Sequence, residues 1–521
     1  MLPIPNSIKN LKLSKLFNSF AMENKVLHFP DLSVDKIKVL LDTNILIERE
    51  DYKTTNPSFS ELLSLLLENS IVIFVHPNTI DELQKDKVKF RKESILSKVK
   101  SYPVLENPPF PDQNFLDNLN IRNSHDKIDG TLLYAVHMDV VDFLITEDKL
   151  LISRAEKIDL GERVLNVLSA LSFFRGFLKR GQPLTPPYIR FGKASTIVNH
   201  LSDSFFNSFK EDYPEFERWF KRKARDRDIY YILDQTEISA IMILKNEEEP
   251  IELTNAILPK QNRLKICSLK ISDSQSNYRV FEKFLSLAFD KASLDRVRSV
   301  YVTVYPKHSH LIVMLKKFGF EEKGEIKNTR EIVLEKGMTG AKKVDAFDYV
   351  KYYYPNFIDD ESVSKFIIPV RDIFHSELFP EVPVKQMTMA HFDSHIPVSN
   401  AIVKVYLSKS KISTLKRGDV LLFYRSKKET GITSIGVLEE IGRFYTIREI
   451  LDFAGNRIVY SKDDLNLMLD KNGILCLKFW LTKYLENKID SHMMKEFGIS
   501  IPQSICRIDN KKYKELLGRS D

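Results

Sequence analysis

The stretch Lys38-Val-Leu-Leu-Asp-Thr-Asn44 places three polar residues directly after a short apolar run, and Phe143-Leu-Ile-Thr-Glu-Asp148 repeats this arrangement. Short apolar runs of this kind predict buried strands. We expect strands at 37–41, 71–75, 140–146 and 162–167, alternating with helices at 57–69, 78–101, 126–138, 149–157 and 168–179. Because parallel strands are joined by helical crossovers, this alternation predicts a parallel sheet wrapped by helices.

The chain has 521 residues and a mass of 60.6 kDa, which suits three or four domains at the usual ~100–200 residues each. Its 43% hydrophobic and 29% charged residues are typical of globular proteins, and a net charge of +7 names no partner. Cys267, Cys476 and Cys506 have no spacing that suits a disulfide framework or a zinc site. No apolar run reaches the ~18 residues of a membrane span. We therefore expect a soluble, cytoplasmic protein without a membrane partner.

Proline and glycine clusters divide the chain into three units that follow an N-terminal arm at 1–34. Arg180-Gly-Gln-Pro-Leu-Thr-Pro-Pro187 cannot continue a helix, and Gly337-Met-Thr-Gly340 marks a softer boundary. The predicted units are a parallel-sheet unit at 35–182, a mixed α+β unit at 188–337, and a small β-barrel with attached helices at 345–517. In the middle unit we expect helices at 200–227, 278–291 and 308–317, and strands at 229–233, 237–244, 264–271 and 298–305. The whole chain is thus predicted to be an α/β multidomain protein.

Four acidic residues of the first unit follow or flank the predicted strands: Asp42, Glu82, Asp129 and Asp148. Because parallel strands present their carboxyl ends at one edge, we expect these side chains to meet there. Four carboxylates repel one another unless a hard divalent cation such as magnesium or manganese neutralises them. Such ions activate water and clamp a scissile phosphate in many nucleases. Thr43, Asn44 and Thr146 are expected to support the ligands or the attacking water by hydrogen bonds.

A structural alternative stands beside this hypothesis. Thr79 and Glu82 have the spacing of a capping box, Asp126 with Asp129 suits a helix N-terminus, and Asp148 lies where a helix start favours negative charge.

These motifs resemble the PIN-domain nuclease family over roughly residues 35–180. The resemblance rests on Leu41-Asp-Thr-Asn44, Asp81-Glu82, Asp129 at the start of Gly130-Thr-Leu-Leu-Tyr-Ala-Val136, and Phe143-Leu-Ile-Thr-Glu-Asp148. It implies metal-dependent cleavage of single-stranded or structured RNA, with Asp42, Glu82, Asp129 and Asp148 as metal ligands. Among RNA partners, tRNA is one candidate. Asp126 is a rival for the third position. We also consider an inhibitor protein as a partner of such a nuclease.

Basic residues cluster in two predicted helices. The run 85–100 includes Lys87, Lys89, Arg91 and Lys92, and the run Trp219-Phe-Lys-Arg-Lys-Ala-Arg-Asp-Arg227 adds Arg222 and Lys223 beside an aromatic side chain. A surface of this composition can follow a phosphate backbone. Solvated helix faces are the alternative interpretation of both runs.

The middle unit resembles the GNAT acetyltransferase fold over roughly 190–336. The motifs are Leu264-Lys-Ile-Cys-Ser-Leu-Lys-Ile271, Ser299-Val-Tyr-Val-Thr-Val-Tyr305 and Lys316-Lys-Phe-Gly-Phe-Glu-Glu-Lys-Gly324. The resemblance implies acetyl-CoA binding by Ile271, Gln275, Asn277 and Arg279, with the pyrophosphate at a helix N-terminus. The loop Ser274-Gln-Ser-Asn-Tyr-Arg-Val-Phe281 lacks the family's glycines, and Leu315 stands about where many members place a tyrosine as general acid. A retained fold that serves as a scaffold is therefore the alternative.

The last unit resembles the PUA-like superfamily that includes ASCH and EVE domains, over roughly 345–515. Leu415-Lys-Arg-Gly-Asp-Val-Leu-Leu-Phe-Tyr-Arg425 and Thr433-Ser-Ile-Gly-Val-Leu-Glu-Glu440 carry the resemblance. It implies recognition of RNA or a modified base, with Tyr424, Arg425, Lys427 and Lys428 as contacts. An ordinary hairpin turn and a soluble loop are the alternative.

Together these patterns predict a PIN-type, metal-dependent endoribonuclease whose other two units position or select RNA. Two alternatives remain: an acetyl-CoA-dependent N-acetyltransferase acting on tRNA or protein, and a non-catalytic RNA-binding scaffold. The residues do not distinguish a toxin from a defence or RNA-processing enzyme, and they leave the oligomeric state open.

Overall fold

The computed structural model describes residues 36–45, 57–84, 99, 102–119, 121, 124–178, 188–234, 236–272, 278–380, 396–397, 401–427 and 430–518. In these residues the backbone forms three large sheets with helices packed on them, and a separate two-stranded ribbon of β8 (Ile251–Glu252) and β9 (Ile257–Leu258). None of the described helices is long and apolar enough to cross a membrane.

The first sheet is parallel throughout, as the sequence predicts. Its strands are β1 (Lys38–Leu41), β2 (Val72–Val75), β3 (Phe143–Ile145) and β4 (Val164–Leu165), in the order β2-β1-β3-β4. Almost every strand residue is buried, because helices cover both faces. These helices are α1 (Pro57–Glu68), α2 (Pro77–Gln84), α3 (Gln113–Asn118), α4 (Ser124–His137), α5 (Lys149–Lys157) and α6 (Val167–Leu178). Of the predicted helix 78–101, the part at 85–98 lies outside the described residues.

The central sheet has eight strands in the order β12-β13-β11-β10-β7-β6-β5-β15. Its β10 and β11 run parallel, while the other described neighbours are antiparallel. The strands are β5 (Tyr188–Lys193), β6 (Asp228–Asp234), β7 (Glu237–Glu247), β10 (Arg263–Ile271), β11 (Ser299–Val304), β12 (Glu321–Glu325), β13 (Ile332–Gly337) and β15 (Ile396–Pro397).

The helices on the central sheet correct one prediction. They are α7 (Asn207–Asp212), α8 (Phe216–Lys223), α9 (Tyr278–Leu294) and α10 (Ser309–Lys317), with 3-10 turns at Ala194–His200, Ser204–Phe206 and Ala224–Asp226. The predicted single helix at 200–227 is wrong. Tyr213 is extended because it precedes Pro214, and this interrupts the helix between α7 and α8.

The third sheet has six strands in the order β16-β19-β18-β17-β14-β20. They are β14 (Lys365–Arg371), β16 (Val403–Ser408), β17 (Val420–Ser426), β18 (Gly431–Phe444), β19 (Ile474–Ile489) and β20 (Cys506–Ile508). Among the described strands, β16 and β20 are the two edge strands of this sheet. The described strands thus pair as an open sheet, whereas we predicted a barrel. Its helices are α11 (Ala346–Tyr353), α12 (Asp372–Leu378), α13 (Ile447–Ala454), α14 (Lys462–Met468), α15 (Ser491–Glu496) and α16 (Asn510–Leu517), with a 3-10 turn at Gly455–Arg457.

One buried arginine connects all three sheets. Arg457 is 2% exposed, and its guanidinium binds Glu282 Oε2 of α9 at 2.8 Å, Glu162 Oε1 beside β4 at 2.6 Å and the Val403 carbonyl of β16 at 2.8 Å. Glu282 is fully buried and also accepts the backbone N–H groups of Ile402 and Val403. We call these contacts the Arg457 junction.

We predict that Arg457→Met lowers the free energy of unfolding by about 3–5 kcal/mol, because it leaves two carboxylates without their cation in a buried site. Urea denaturation of the full chain measures this. The matched control is Lys316→Met, which removes an exposed ion pair to Glu322 at 2.8 Å and is expected to change stability by about 1 kcal/mol or less. Equal effects of the two substitutions would contradict the role of the junction.

Candidate active site at the edge of the parallel sheet

Four acidic side chains lie at the carboxyl edge of the first sheet. Asp42 directly follows β1, the strand between β2 and β3, and its backbone N–H continues the ladder to the Ile145 carbonyl at 3.1 Å. Asp148 follows β3, Glu82 lies in α2 after β2, and Asp129 lies in α4. We call these four residues the acidic edge.

Asp42 is the most constrained of them. It is 7% exposed, and its Oδ1 accepts the Thr43 N–H while its Oδ2 accepts the Thr146 hydroxyl, both at 2.6 Å. The same Thr146 oxygen accepts the Asp148 N–H at 2.9 Å and the Asn44 side-chain amide at 3.3 Å. Thr146 therefore fixes the relative positions of Asp42 and Asp148.

Glu82 and Asp148 have structural partners as well. The Thr43 hydroxyl donates to Glu82 Oε2 at 2.8 Å, which connects α2 to the end of β1. Asp148 is the N-cap of α5, since its Oδ1 accepts the N–H groups of Leu150 and Leu151 at 2.7 and 3.1 Å. The capping role considered for Asp148 is thus present, and it leaves the second carboxylate oxygen of Asp148 for other contacts.

Arg154 is a site residue that the sequence did not indicate. Its buried guanidinium binds Asp129 Oδ2 and Asp126 Oδ1, each at 2.7 Å. Asp126 therefore lies beside Asp129, as expected for a rival at the third position. No local signal marks Arg154, because a contact between α5 and α4 arises only when the helices pack.

The pKa values show how closely these charges interact. Burial raises the pKa of Asp42 to about 6, the Thr146 and Thr43 hydrogen bonds oppose this, and the charges of Asp148 and Glu82 add to it. Burial raises the pKa of Asp129 to about 7, with Asp148 and Asp42 adding to the effect and Arg154 opposing it. The acidic edge is therefore a site of like charges that repel one another.

A metal ion would need the carboxylates to converge further than they do here. In the described part of the chain, no three His, Cys, Asp or Glu side chains form a group able to hold a metal. Thr43 engages one oxygen of Glu82, and Arg154 engages one oxygen of Asp129. The donors themselves are hard carboxylate oxygens, which suit magnesium or manganese.

The predicted nucleic-acid contacts differ in their surroundings. Arg222 and Lys223 lie at the end of α8, with Arg222 exposed, and Lys427 is exposed in the left-handed conformation at φ 83°. Arg425 forms an ion pair with Asp372. Lys87, Lys89, Arg91, Lys92 and Lys428 lie outside the described residues.

The prediction for Tyr424 is wrong. Its side chain is 1% exposed and packs in the apolar core under the third sheet, so it does not reach a nucleic acid.

Of the predicted acetyl-CoA contacts in the described residues, Ile271 lines a cleft in the central sheet and Arg279 does not. Strands β10 and β11 pair over Arg263–Ile266 and Ser299–Val302 and then diverge, leaving a cleft of about 1280 Å³ that Ile271 helps to line. Arg279 instead donates to the Asn456 carbonyl, so its guanidinium is held toward the 3-10 turn at Gly455–Arg457. Gln275 and Asn277 lie outside the described residues.

Comparisons with known proteins give only partial likenesses. No protein-family model and no curated protein sequence matches the chain. Similar solved structures include an ASCH protein from Zymomonas mobilis, at 12% identity over 30% of this chain and 96% of that chain, with a TM-score of 0.23. The PaiA N-acetyltransferase from Thermoplasma acidophilum in complex with coenzyme A is 13% identical over 29% and 98%, with a TM-score of 0.22. An N-acetyltransferase from Staphylococcus aureus Mu50 is 10% identical over 29% and 97%, with a TM-score of 0.22.

These likenesses each extend over less than a third of the chain, and at such identities and TM-scores they say nothing of its activity. The nuclease resemblance of the first unit has no counterpart among these three structures.

We predict that Asp42→Asn stabilises the metal-free protein at high pH. The folded state raises the Asp42 pKa from 3.8 to about 6, so its contribution favours folding at low pH and is lost as the pH rises through 6. Asparagine does not titrate, so the variant should exceed the wild type by about 1–3 kcal/mol near pH 8 and by less near pH 4. Urea denaturation in EDTA measures the difference. Asp117→Asn, at an exposed position of α3, is the control and should show no such trend.

Proposed function

We propose that the chain is a metal-dependent endoribonuclease whose active site is the acidic edge. The observation that supports this most strongly is that Asp42, Glu82, Asp129 and Asp148, from four separate elements, lie at the carboxyl end of one parallel sheet, where the charges of neighbouring acids act on Asp42 and Asp129. Helix capping requires none of these residues to approach the others. Two of the acids are also buried enough for their pKa values to rise, which is a cost that a purely structural role does not explain.

The residues of this site would divide the work as follows. Asp42, Glu82, Asp129 and Asp148 would hold magnesium or manganese, which when bound activates water and neutralises the phosphate in phosphodiester hydrolysis. Thr146 orients Asp42 and Asp148 through its two hydrogen bonds, and Thr43 orients Glu82. Arg154 keeps Asp129 and Asp126 together and partly offsets their charge.

The cleft between β10 and β11 favours a second candidate, an acetyl-CoA-dependent N-acetyltransferase acting on tRNA or protein. A gap between diverging parallel strands of about 1280 Å³ is large enough for a cofactor and an acceptor. Against it, Leu315 is fully buried in the apolar core and supplies no proton, and Arg279 is committed to the Asn456 carbonyl. Saturable binding of acetyl-CoA to the full chain would support this candidate.

We predict that Asp42→Asn lowers the rate of RNA cleavage in magnesium by at least about 100-fold, because it removes a charged ligand of the ion. Gel analysis of a labelled RNA measures the rate, with EDTA as a second way to remove activity. Asp117→Asn serves as the matched control and should cleave like the wild type. Its carboxylate is exposed on α3 and accepts a hydrogen bond from Gln113 of the same helix. If the wild type cuts no RNA, or if Asp42→Asn cuts equally well, the proposed function is wrong.

We predict that Thr146→Val lowers cleavage by about 10–100-fold, since it removes the hydroxyl that orients two ligands. Thr146→Ser keeps the hydroxyl and should retain most of the activity. Titration with manganese measures whether the loss arises from weaker metal binding. Equal activity of the valine and serine variants would show that the hydroxyl has no part in the site.

A further inference from the structure

The cleft between β10 and β11 is a large feature that the acidic edge does not use. Its walls are the two diverging strands, helices α7 and α8, and the first turn of α5. Its volume of about 1280 Å³ exceeds the ~300–1,000 Å³ typical of small-molecule pockets. The cleft therefore has room for an extended ligand.

One wall of the cleft is aromatic. The rings of Tyr213 and Tyr305 lie 5.4 Å apart, and those of Phe209 and Phe216 are stacked at 5.0 Å, with Trp219 next to Phe216. All five side chains line the cleft. Phe216 is buried, and the other four are partly accessible. Such side chains form stacking platforms for unpaired bases.

A run of cations leads into the cleft beside this wall. Arg222 and Lys223 lie one helical turn beyond Trp219, Arg225 follows in the next turn, and Arg227 lines the cleft itself. We call Arg222, Lys223, Arg225 and Arg227 the cationic track. Within the described part of the chain no carboxylate pairs with the first three, and the buried Nε of Arg227 lacks a hydrogen-bond partner.

Three of the six acids that line the cleft are each engaged by more than one other side chain. Asp212 binds Lys307 and His308, and Glu247 accepts from Lys245 and Tyr301. Glu331 accepts the hydroxyl groups of Tyr213, Thr303 and Thr329. Seven Lys or Arg side chains line the cleft against these six acids, and the rest of the cationic track lies beyond it, so the balance of charge is positive and favours an anion.

Helix α5 connects the cleft to the acidic edge. Lys149, Leu150 and Ser153 line the cleft, whereas Asp148, which begins this helix, and Arg154 belong to the acidic edge. Lys149, which lines the cleft, directly follows Asp148 in the chain, and their Cα atoms are therefore about 3.8 Å apart. A chain that leaves the cleft past Lys149 thus arrives at the acids.

From these observations we propose that single-stranded RNA binds along the cationic track and in the cleft, with its bases on the aromatic wall, and passes over the start of α5 to the acidic edge. This rests on the proposed nuclease function, for which it names the substrate class. The aromatic wall favours unpaired bases over a duplex, whose bases are not available for stacking.

The first test measures binding of a fluorescein-labelled single-stranded oligouridine by anisotropy, with Asp42→Asn in the full chain so that RNA is not consumed. We expect the added double substitution Arg222→Glu and Arg225→Glu to weaken binding at least about tenfold. The dependence of log affinity on log salt should become shallower by about 1.4, because each of the two phosphates that these arginines neutralise accounts for ~0.7 on a single strand. Lys511→Glu with Lys514→Glu, at exposed positions of α16, makes the same charge change elsewhere and should leave the affinity unchanged.

The second test cross-links a 4-thiouridine oligonucleotide to Asp42→Asn and locates the modified peptides by mass spectrometry. Cross-links at 209–219 or at Tyr305 would support the path. Equal affinity in the two double variants, or cross-links only outside the cleft, would overturn it even if the wild type cleaves RNA. If the wild type fails to cleave but the binding and cross-link results hold, the nuclease proposal falls and the RNA path stands. Saturable acetyl-CoA binding with no cross-link in the cleft would also overturn the path.

Discussion

The Arg457 guanidinium is the interaction on which the arrangement of the three sheets depends. A buried carboxylate such as Glu282 is stable only when paired and hydrogen-bonded, and Arg457 provides the charge while Ile402 and Val403 provide backbone donors. Burial would raise the pKa of Glu162, yet Arg457 and Lys317 hold it below its ordinary value. One cation binds Glu282 of α9 on the central sheet, Glu162 beside β4 of the first sheet and a carbonyl of β16 in the third. A shift of any one of these units would therefore leave a buried polar group without a partner.

Helix α5 is held against the central sheet by a further buried ion pair. Its Glu156 is 5% exposed and accepts Lys317 Nζ of α10 at 3.1 Å, so the helix is tied to the central sheet by charge as well as by packing. Its first residue follows Asp148, and its Arg154 binds Asp129 and Asp126. One face of a nine-residue helix therefore serves the acidic edge and another forms a wall of the cleft. The relative position of the two sites is set by the same contacts that hold the sheets together.

Sequence patterns predicted those features that depend on neighbours along the chain. The parallel sheet followed from apolar runs such as Val39 to Leu41, and the position of Asp42 followed from the strand end. The break of the predicted helix 200–227 at Tyr213 was also local, and the missed signal was Pro214. Tyr424 was misplaced because β17 is buried on both faces: Val420, Leu422 and Tyr424 pack in one core, and Leu421 and Phe423 pack in another. A strand covered on both sides leaves no face for a nucleic acid, and this covering arises only from packing. Arg154 and Arg457 were beyond prediction, since their partners are brought near only by packing.

The acidic edge and the Arg457 junction both contain buried carboxylates, but the negative charge is compensated to different extents at the two sites. At the junction, every buried carboxylate has a cation, and the result is a rigid connection. At the acidic edge, the charges that act most on Asp42 after burial and its hydrogen bonds are those of other acids, and its pKa rises to about 6. Arg154 offsets part of this charge at Asp129 and Asp126, yet the pKa of Asp129 still rises to about 7, so the acidic edge keeps a repulsion that the junction does not have. A cation or a phosphate-bearing substrate with its counterion would relieve that repulsion only while bound, which is what a site for a transient ligand requires.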